Sequence, residues 1–211
     1  LQALPKKNID TGAGLERITA VVQNKKNNFE TDLLFPILEE IAKVCGKKYG
    51  ENDKIDFSLK VITDHTRAIT FLIGDAVLPS NEGRGYILRR VLRRAVRHGR
   101  LLGNTELFLN KLVDTVVGVM KFAYPELVEK AEYIKKVVLI EEEKFSKTLD
   151  QGIKLVNDEI DNLGQKGETK LPADLVFKLH DTFGFPYELT EEICLERGIS
   201  LSYEEYKAKM Q

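Results

Sequence analysis

Seven of the ten arginines in this sequence fall in one short stretch: Arg84, Arg89, Arg90, Arg93, Arg94, Arg97 and Arg100. No acidic residue occurs between Glu82 and Glu106. At helical spacing Leu88, Val91, Leu92, Ala95 and Gly99 form an apolar stripe, while Arg89, Arg90, Arg93, Arg94 and Arg97 share the opposite arc. Like charges one turn apart repel by roughly 0.2–0.5 kcal/mol per pair, so something outside the helix must offset them. Two partners fit. A polyanion would use the planar guanidinium fork for bidentate phosphate contacts; alternatively, the arginines pair with the acidic run Glu141-Glu-Glu143 of the same chain. The apolar stripe lacks the Trp and Phe of a membrane-interface anchor.

A second candidate is Asp10-Thr-Gly-Ala-Gly-Leu-Glu-Arg17, a glycine-containing turn running into a helix. Gly12 and Gly14 allow close backbone approach, the helix start offers free N–H groups, and Arg17 adds a forked cation. This suits nucleotide phosphates, although it is neither a P-loop nor a dinucleotide fingerprint. The alternative is a tight turn whose Arg17 pairs with a neighbouring carboxylate. Two polar loops complete the set. Pro79-Ser-Asn81-Glu precedes the arginine helix, and Phe177-Lys-Leu-His-Asp-Thr-Phe-Gly-Phe-Pro186 places His180 and Asp181 at a helix end. By residue type alone Asn81 and Asp181 are turn or cap residues and His180 a packing residue. No Ser/His/Asp or Cys/His nucleophile pattern is present.

The elements that carry these residues are mostly α-helical. Apolar residues recur at helical spacing over 29–45, and Asp64 is placed to cap a helix from His65 to about Val77. Phe57 to Ile62 alternates like a short strand. Another helix is expected from Glu106 to Tyr124. Pro125 then opens the longest pattern, through Leu127, Ala131, Ile134, Val138, Phe145, Leu149, Val156, Ile160 and Leu163, with Glu141 and Gly152 as exceptions that suggest a break or a bend. Unbroken, it would be about 55 Å long. Three short helices are expected after Gly167: Pro172 to Thr182, Glu191 to Arg197 stopped by Gly198, and one capped by Ser202.

With 211 residues, 43% hydrophobic and 31% charged, the chain can bury a sizeable core, which excludes a disordered tail and a disulfide-stapled peptide. The net charge of -1 means that any polyanion affinity must come from a local patch. Cys45 and Cys194 form no CxxC, and His65, His98 and His180 show no metal-ligand spacing, which predicts a reduced, cytoplasmic, metal-free segment. The polar first thirty residues, with Lys6, Lys7, Asp10, Glu16 and Arg17, are not expected to act as a signal peptide, and no apolar run reaches membrane-span length. The sequence starts at Leu1, as a piece of something longer would.

Five segments in one register resemble the alanyl-tRNA synthetase family: Asp10 to Arg17, Asp64-His-Thr-Arg-Ala68, Pro79 to Tyr86, the Arg89-to-Gly99 helix, and Asp181 to Pro186. The first is similar to class II motif 3. The resemblance covers nearly the whole chain. It implies a class II catalytic-domain end over 1–25, carrying the last strand, turn and helix of that domain. It also implies a multi-helix tRNA-recognition domain over 26–211, divided into two subdomains within 125–165.

The activity implied is ATP-dependent ligation of alanine to its tRNA, with a G·U wobble pair read in the acceptor stem. Gly12, Gly14 and Arg17 would bind ATP, Arg17 acting on its phosphates. Asn81 and Asp181 would read the wobble pair, and Arg84, Arg89, Arg90, Arg93, Arg94 and Arg97 would hold the tRNA backbone. ATP and magnesium would be cofactors of the parent enzyme, with no zinc site here. The partners implied are tRNA, ATP and alanine, with no DNA and no membrane. Class II motifs 1 and 2 are missing, so the segment alone is expected to be inactive. A different class remains open: a free-standing α-helical interaction protein whose arginine face docks an acidic partner. A nucleotide hydrolase built on Gly12, Gly14 and Arg17 lacks a readable general base.

Overall fold

The computed structural model describes residues 11–210. Nine α-helices occur among the described residues: α1 (Leu15–Val22), α2 (Phe35–Val44), α3 (Asp53–Gly74), α4 (Gly83–Leu101), α5 (Leu109–Met120), α6 (Glu126–Lys166), α7 (Ala173–Asp181), α8 (Tyr187–Leu195) and α9 (Tyr203–Lys209). The only extended pairing among them is an isolated bridge between Lys170 and Ser200. The mostly α expectation therefore holds. The strand expected at the start of the chain, and Asp10 with it, lies outside the described residues.

Four local expectations are corrected. Phe57 to Ile62 is not a strand, because α3 begins at Asp53 under a cap from Asn52, whose Oδ1 accepts from the Ile55 N–H at 3.0 Å. Asp64 consequently sits mid-helix rather than at a cap. Packing by α2, α4 and α5 buries more than one face of α3, which blurs its apolar period. Two of its buried threonines are satisfied within the helix, Thr63 Oγ1 donating to Leu59 O and Thr70 Oγ1 to Thr66 O, both at 2.8 Å. Pro36 near its start confines α2 to Phe35–Val44, after a separate 3-10 turn at Asn28–Glu30. Helix α5 begins only at Leu109, where the buried carboxylate of Glu142 accepts from the Phe108 N–H at 3.0 Å and the Leu109 N–H at 3.2 Å. That cap comes from α6, 33 residues downstream, beyond the reach of local spacing.

The long helix is continuous over 41 residues, about 60 Å at 1.5 Å per residue. Its buried stripe runs Leu127, Ile134, Val138, Glu141, Phe145, Leu149, Gly152, Val156, Ile160 and Leu163. Neither exception breaks the helix. Glu141 meets arginines of α4, and Gly152 leaves room for the ring of Phe185, which is fully buried. A Cβ on Gly152 would lie 2.2 Å from Phe185 Cε2.

This notch sets the sign of a prediction. Glycine to alanine in a helix interior ordinarily gains up to about 1 kcal/mol, and Gly164→Ala, with nothing within 4 Å of the added carbon, should do so. Gly152→Ala is expected instead to cost about 1–3 kcal/mol through overpacking. Urea unfolding of the two variants checks this, and a stabilised Gly152→Ala protein would contradict the notch.

Candidate nucleic-acid interface

Asn81 and Asp181, a hundred residues apart in sequence, line one cavity of about 230 Å³ together with Arg89, His180 and Gly184. A wider opening of about 630 Å³ continues from it toward Tyr203 and Lys207. Asn81 stands in the loop before α4. Ser80 N–H donates to Gly85 O at 3.2 Å, folding that loop back on the first turn of the helix. Gly85 makes the approach possible, since a Cβ there would lie 2.3 Å from Leu78 O. The Asn81 side chain is exposed, and its Oδ1 accepts from Arg89 Nη1, which fixes the orientation of the amide.

Asp181 is the last residue of α7 and is exposed. A carboxylate there faces the negative end of the helix dipole, an unfavourable position for a capping role. The loop that follows it is anchored from two other helices. Arg93 of α4 donates to Gly184 O through Nη1 while its Nε and Nη2 lie 3.0 and 2.6 Å from Glu141 Oε1 of α6. Thr148 Oγ1, also on α6, donates to Phe183 O at 2.7 Å. The Phe185 ring meets Phe145 edge-on at 5.5 Å, and the Arg93 guanidinium lies 5.1 Å over Phe145.

The arginine face is not free. Arg90 Nη1 donates to Glu188 at 2.7 Å, Arg94 binds Glu192 through Nε at 3.0 Å and Nη2 at 2.8 Å, and Arg97 Nη2 donates to Glu196 at 2.6 Å. Arg89 Nε is 3.0 Å from Glu141, without the alignment of a hydrogen bond. The expected acidic run supplies one of these partners, Glu141; the others come from α8, where Glu188, Glu192 and Glu196 recur every four residues. That period matches the arginines, but sequence reading missed it. Arg93 and Arg97 are enclosed, their side chains 12% and 3% exposed. Arg84 is exposed and makes no ion pair among the described residues. The like-charge repulsion within α4 is thus offset mainly inside the protein.

Behind this row the His98 ring is buried. Burial holds its pKa below the usual histidine value, against the pull of Glu192. Ser58 Oγ lies 3.1 Å from His98 Nδ1. Burial raises the Glu192 carboxyl, but hydrogen bonds from His98 and Arg94 outweigh it and leave its pKa at about 2. Tyr86, whose hydroxyl donates to Glu188 at 2.7 Å, is pushed well up by burial and by that carboxylate.

The motif 3-like turn is exposed at Gly12, Gly14 and Arg17. Among the described residues no side chain caps the first turn of α1. Glu16 pairs with Arg67 rather than with Arg17. The apolar residues Leu15, Val21 and Val22 on α1 are 67%, 80% and 79% exposed. Among the described residues no group of three or more His, Cys, Asp or Glu side chains is placed to hold a metal, and no helix is long and apolar enough to cross a membrane.

The family model of tRNA synthetases class II (A) matches residues 1–211. Alanine–tRNA ligase of Fusobacterium nucleatum is 67% identical over 211 residues, covering 100% of this chain and 24% of the relative. The ligases of Clostridioides difficile and Ligilactobacillus salivarius are 55% and 52% identical over 208 and 211 residues, again covering 24% of each relative. The chain thus spans about a quarter of the length of the curated relatives it matches.

Proposed function

This chain belongs to the class II (A) tRNA synthetases, and from that premise we propose that it is the acceptor-stem recognition segment of an alanine–tRNA ligase. Residues 1–25 are the end of the catalytic domain and 26–211 the recognition domain. The parent enzyme joins alanine to its tRNA at the expense of ATP. Gly12, Gly14 and Arg17 fit the phosphates of ATP, because the first turn of α1 carries no side-chain cap among the described residues and Arg17 is exposed. Magnesium is held outside these residues. Without the rest of the ATP site the segment alone is inactive.

The observation that carries the reading is the convergence of Asn81 and Asp181 on one cavity. In a G·U pair the guanine 2-amino group makes no hydrogen bond to uracil and projects into the wide, shallow minor groove of A-form RNA. Asp181 can only accept, so it fits that donor. Asn81, its Oδ1 already held by Arg89, keeps its NH₂ for a neighbouring acceptor. Arg84 and the exposed edges of Arg89, Arg90 and Arg94 hold the phosphates, which positions the stem without reading it. Arg93 and Arg97 serve differently from the sequence expectation, since they are spent on Glu141, Gly184 and Glu196.

Losing a buried hydrogen-bond partner costs roughly 1–3 kcal/mol, so Asn81→Ala or Asp181→Ala in the full-length ligase should lower discrimination between G·U and G·C stems about tenfold or more. Aminoacylation of the paired substrates measures it. Unchanged discrimination in both variants would return the residues to turn and cap roles.

A further inference from the structure

We propose that His180 is a further specificity-determining residue of this cleft, a hydrogen-bond donor to an acceptor on the minor-groove side of the RNA stem. The inference rests on the reading of the cleft given above. His180 is the penultimate residue of α7 and lines the cavity beside Asn81 and Asp181. Its ring meets Tyr206 of α9 edge-on at 5.7 Å. Nδ1 is enclosed and has no hydrogen-bond partner among the described residues, so Nε2 is the ring nitrogen that a ligand in the cleft can reach.

Burial holds the ring in its neutral form, with Arg93 acting in the same direction and Asp181 and Glu188 opposing. A neutral imidazole carries one proton. An orphaned N–H is costlier than an orphaned lone pair, which places that proton on Nε2 rather than on the sealed Nδ1. The cleft therefore presents a donor, His180 Nε2–H, next to an acceptor, the Asp181 carboxylate. The minor-groove edge of a G·U pair has the complementary pattern: the guanine amine is flanked by guanine N3, uracil O2 and the ribose 2′-hydroxyls. The common chemistry is an oxygen or nitrogen acceptor, from base or from ribose.

The test is aminoacylation of acceptor-stem substrates by the full-length ligase that carries this segment. His180→Phe keeps an aromatic ring against Tyr206 and removes the donor; His180→Gln keeps a donor. The stems are the G·U parent, versions with 3-deazaguanosine or 2-thiouridine in the pair, and versions with a 2′-deoxyribose at either nucleotide. His180→Phe is expected to lower kcat/KM on the parent stem roughly tenfold, with His180→Gln recovering most of it. On the one stem that lacks the matching acceptor, wild type and His180→Phe should become equal. A base-modified stem that does so identifies a base acceptor, and a deoxy stem identifies the ribose. A His180→Phe loss that persists in full on every modified stem would overturn the proposal by making the role structural. So would wild-type activity that falls on none of the modified stems, a result that needs no variant to fold. Asn81→Ala and Asp181→Ala run alongside: if they retain G·U discrimination the cleft reading itself fails, and if they lose it while His180→Phe changes nothing, only this inference fails.

Discussion

Replacing Glu141 with alanine is expected to destabilise the protein by about 3–5 kcal/mol, the range for removing one member of a buried ion pair. Glu141 is 4% exposed and is shared by Arg89 and Arg93. Without it, two guanidinium groups are left against the apolar stripe of α6 with Gly184 O, Asn81 Oδ1 and Pro79 O as neutral acceptors. Arg93 would also lose the partner that aims its Nη1 at the Asp181 loop. The same variant should therefore loosen the reading of the stem as well as the fold. Urea unfolding gives the first effect, and G·U over G·C discrimination measured well below the transition gives the second. Glu143 is an exposed neighbour, and Glu143→Ala should stay within about 0.5 kcal/mol of wild type.

Phe185→Ala is expected to cost a similar amount, about 3–5 kcal/mol, because a fully buried phenylalanine leaves a cavity that a glycine notch cannot fill. Its ring sits between Gly152 and Phe145 of α6, and its N–H donates to Leu179 O at 2.9 Å, closing α7 just past Asp181. The loss should therefore reach the position of Asp181. Phe122, 98% exposed at the end of α5, is the control, and Phe122→Ala should change stability by less than about 0.5 kcal/mol. Thermal unfolding of the two variants separates them, and equal small effects would mean that the Asp181 loop is not held by this packing.

What could be read from the sequence follows from which interactions are local. The apolar stripes of α4 and α6 were legible because Leu88, Leu92 and Ala95 of α4 and the buried residues of α6 recur at helical spacing, and the Ser202 cap because its partner, the Glu205 N–H at 3.3 Å, is three residues away. The start of α5 was not legible, since its cap is the side chain of Glu142 on another helix. The strand-like stretch in α3 misled because a helix enclosed by several neighbours buries residues on adjacent positions. The arginine helix was legible as a charge pattern but not as a set of pairs. One of its partners was named, Glu141, while the acidic period of α8 went unread although Glu188, Glu192 and Glu196 match it. In the site, Asn81 and Asp181 were named by resemblance; that they share a cavity with His180 is a tertiary fact, and no spacing in the sequence brings residues 81 and 181 together.

If this cavity meets the guanine 2-amino group of a wobble pair, replacing that guanosine with inosine, which lacks only the amine, removes the contact and nothing else. The measurement is kcat/KM of the full-length ligase, wild type and Asp181→Ala, on G·U and I·U stems. Wild type is expected to lose roughly tenfold or more on I·U, and Asp181→Ala, already lowered on G·U, to lose little further. An Asp181→Ala enzyme that still falls by the full wild-type factor on I·U would contradict that reading, because the amine would then be read by some other group.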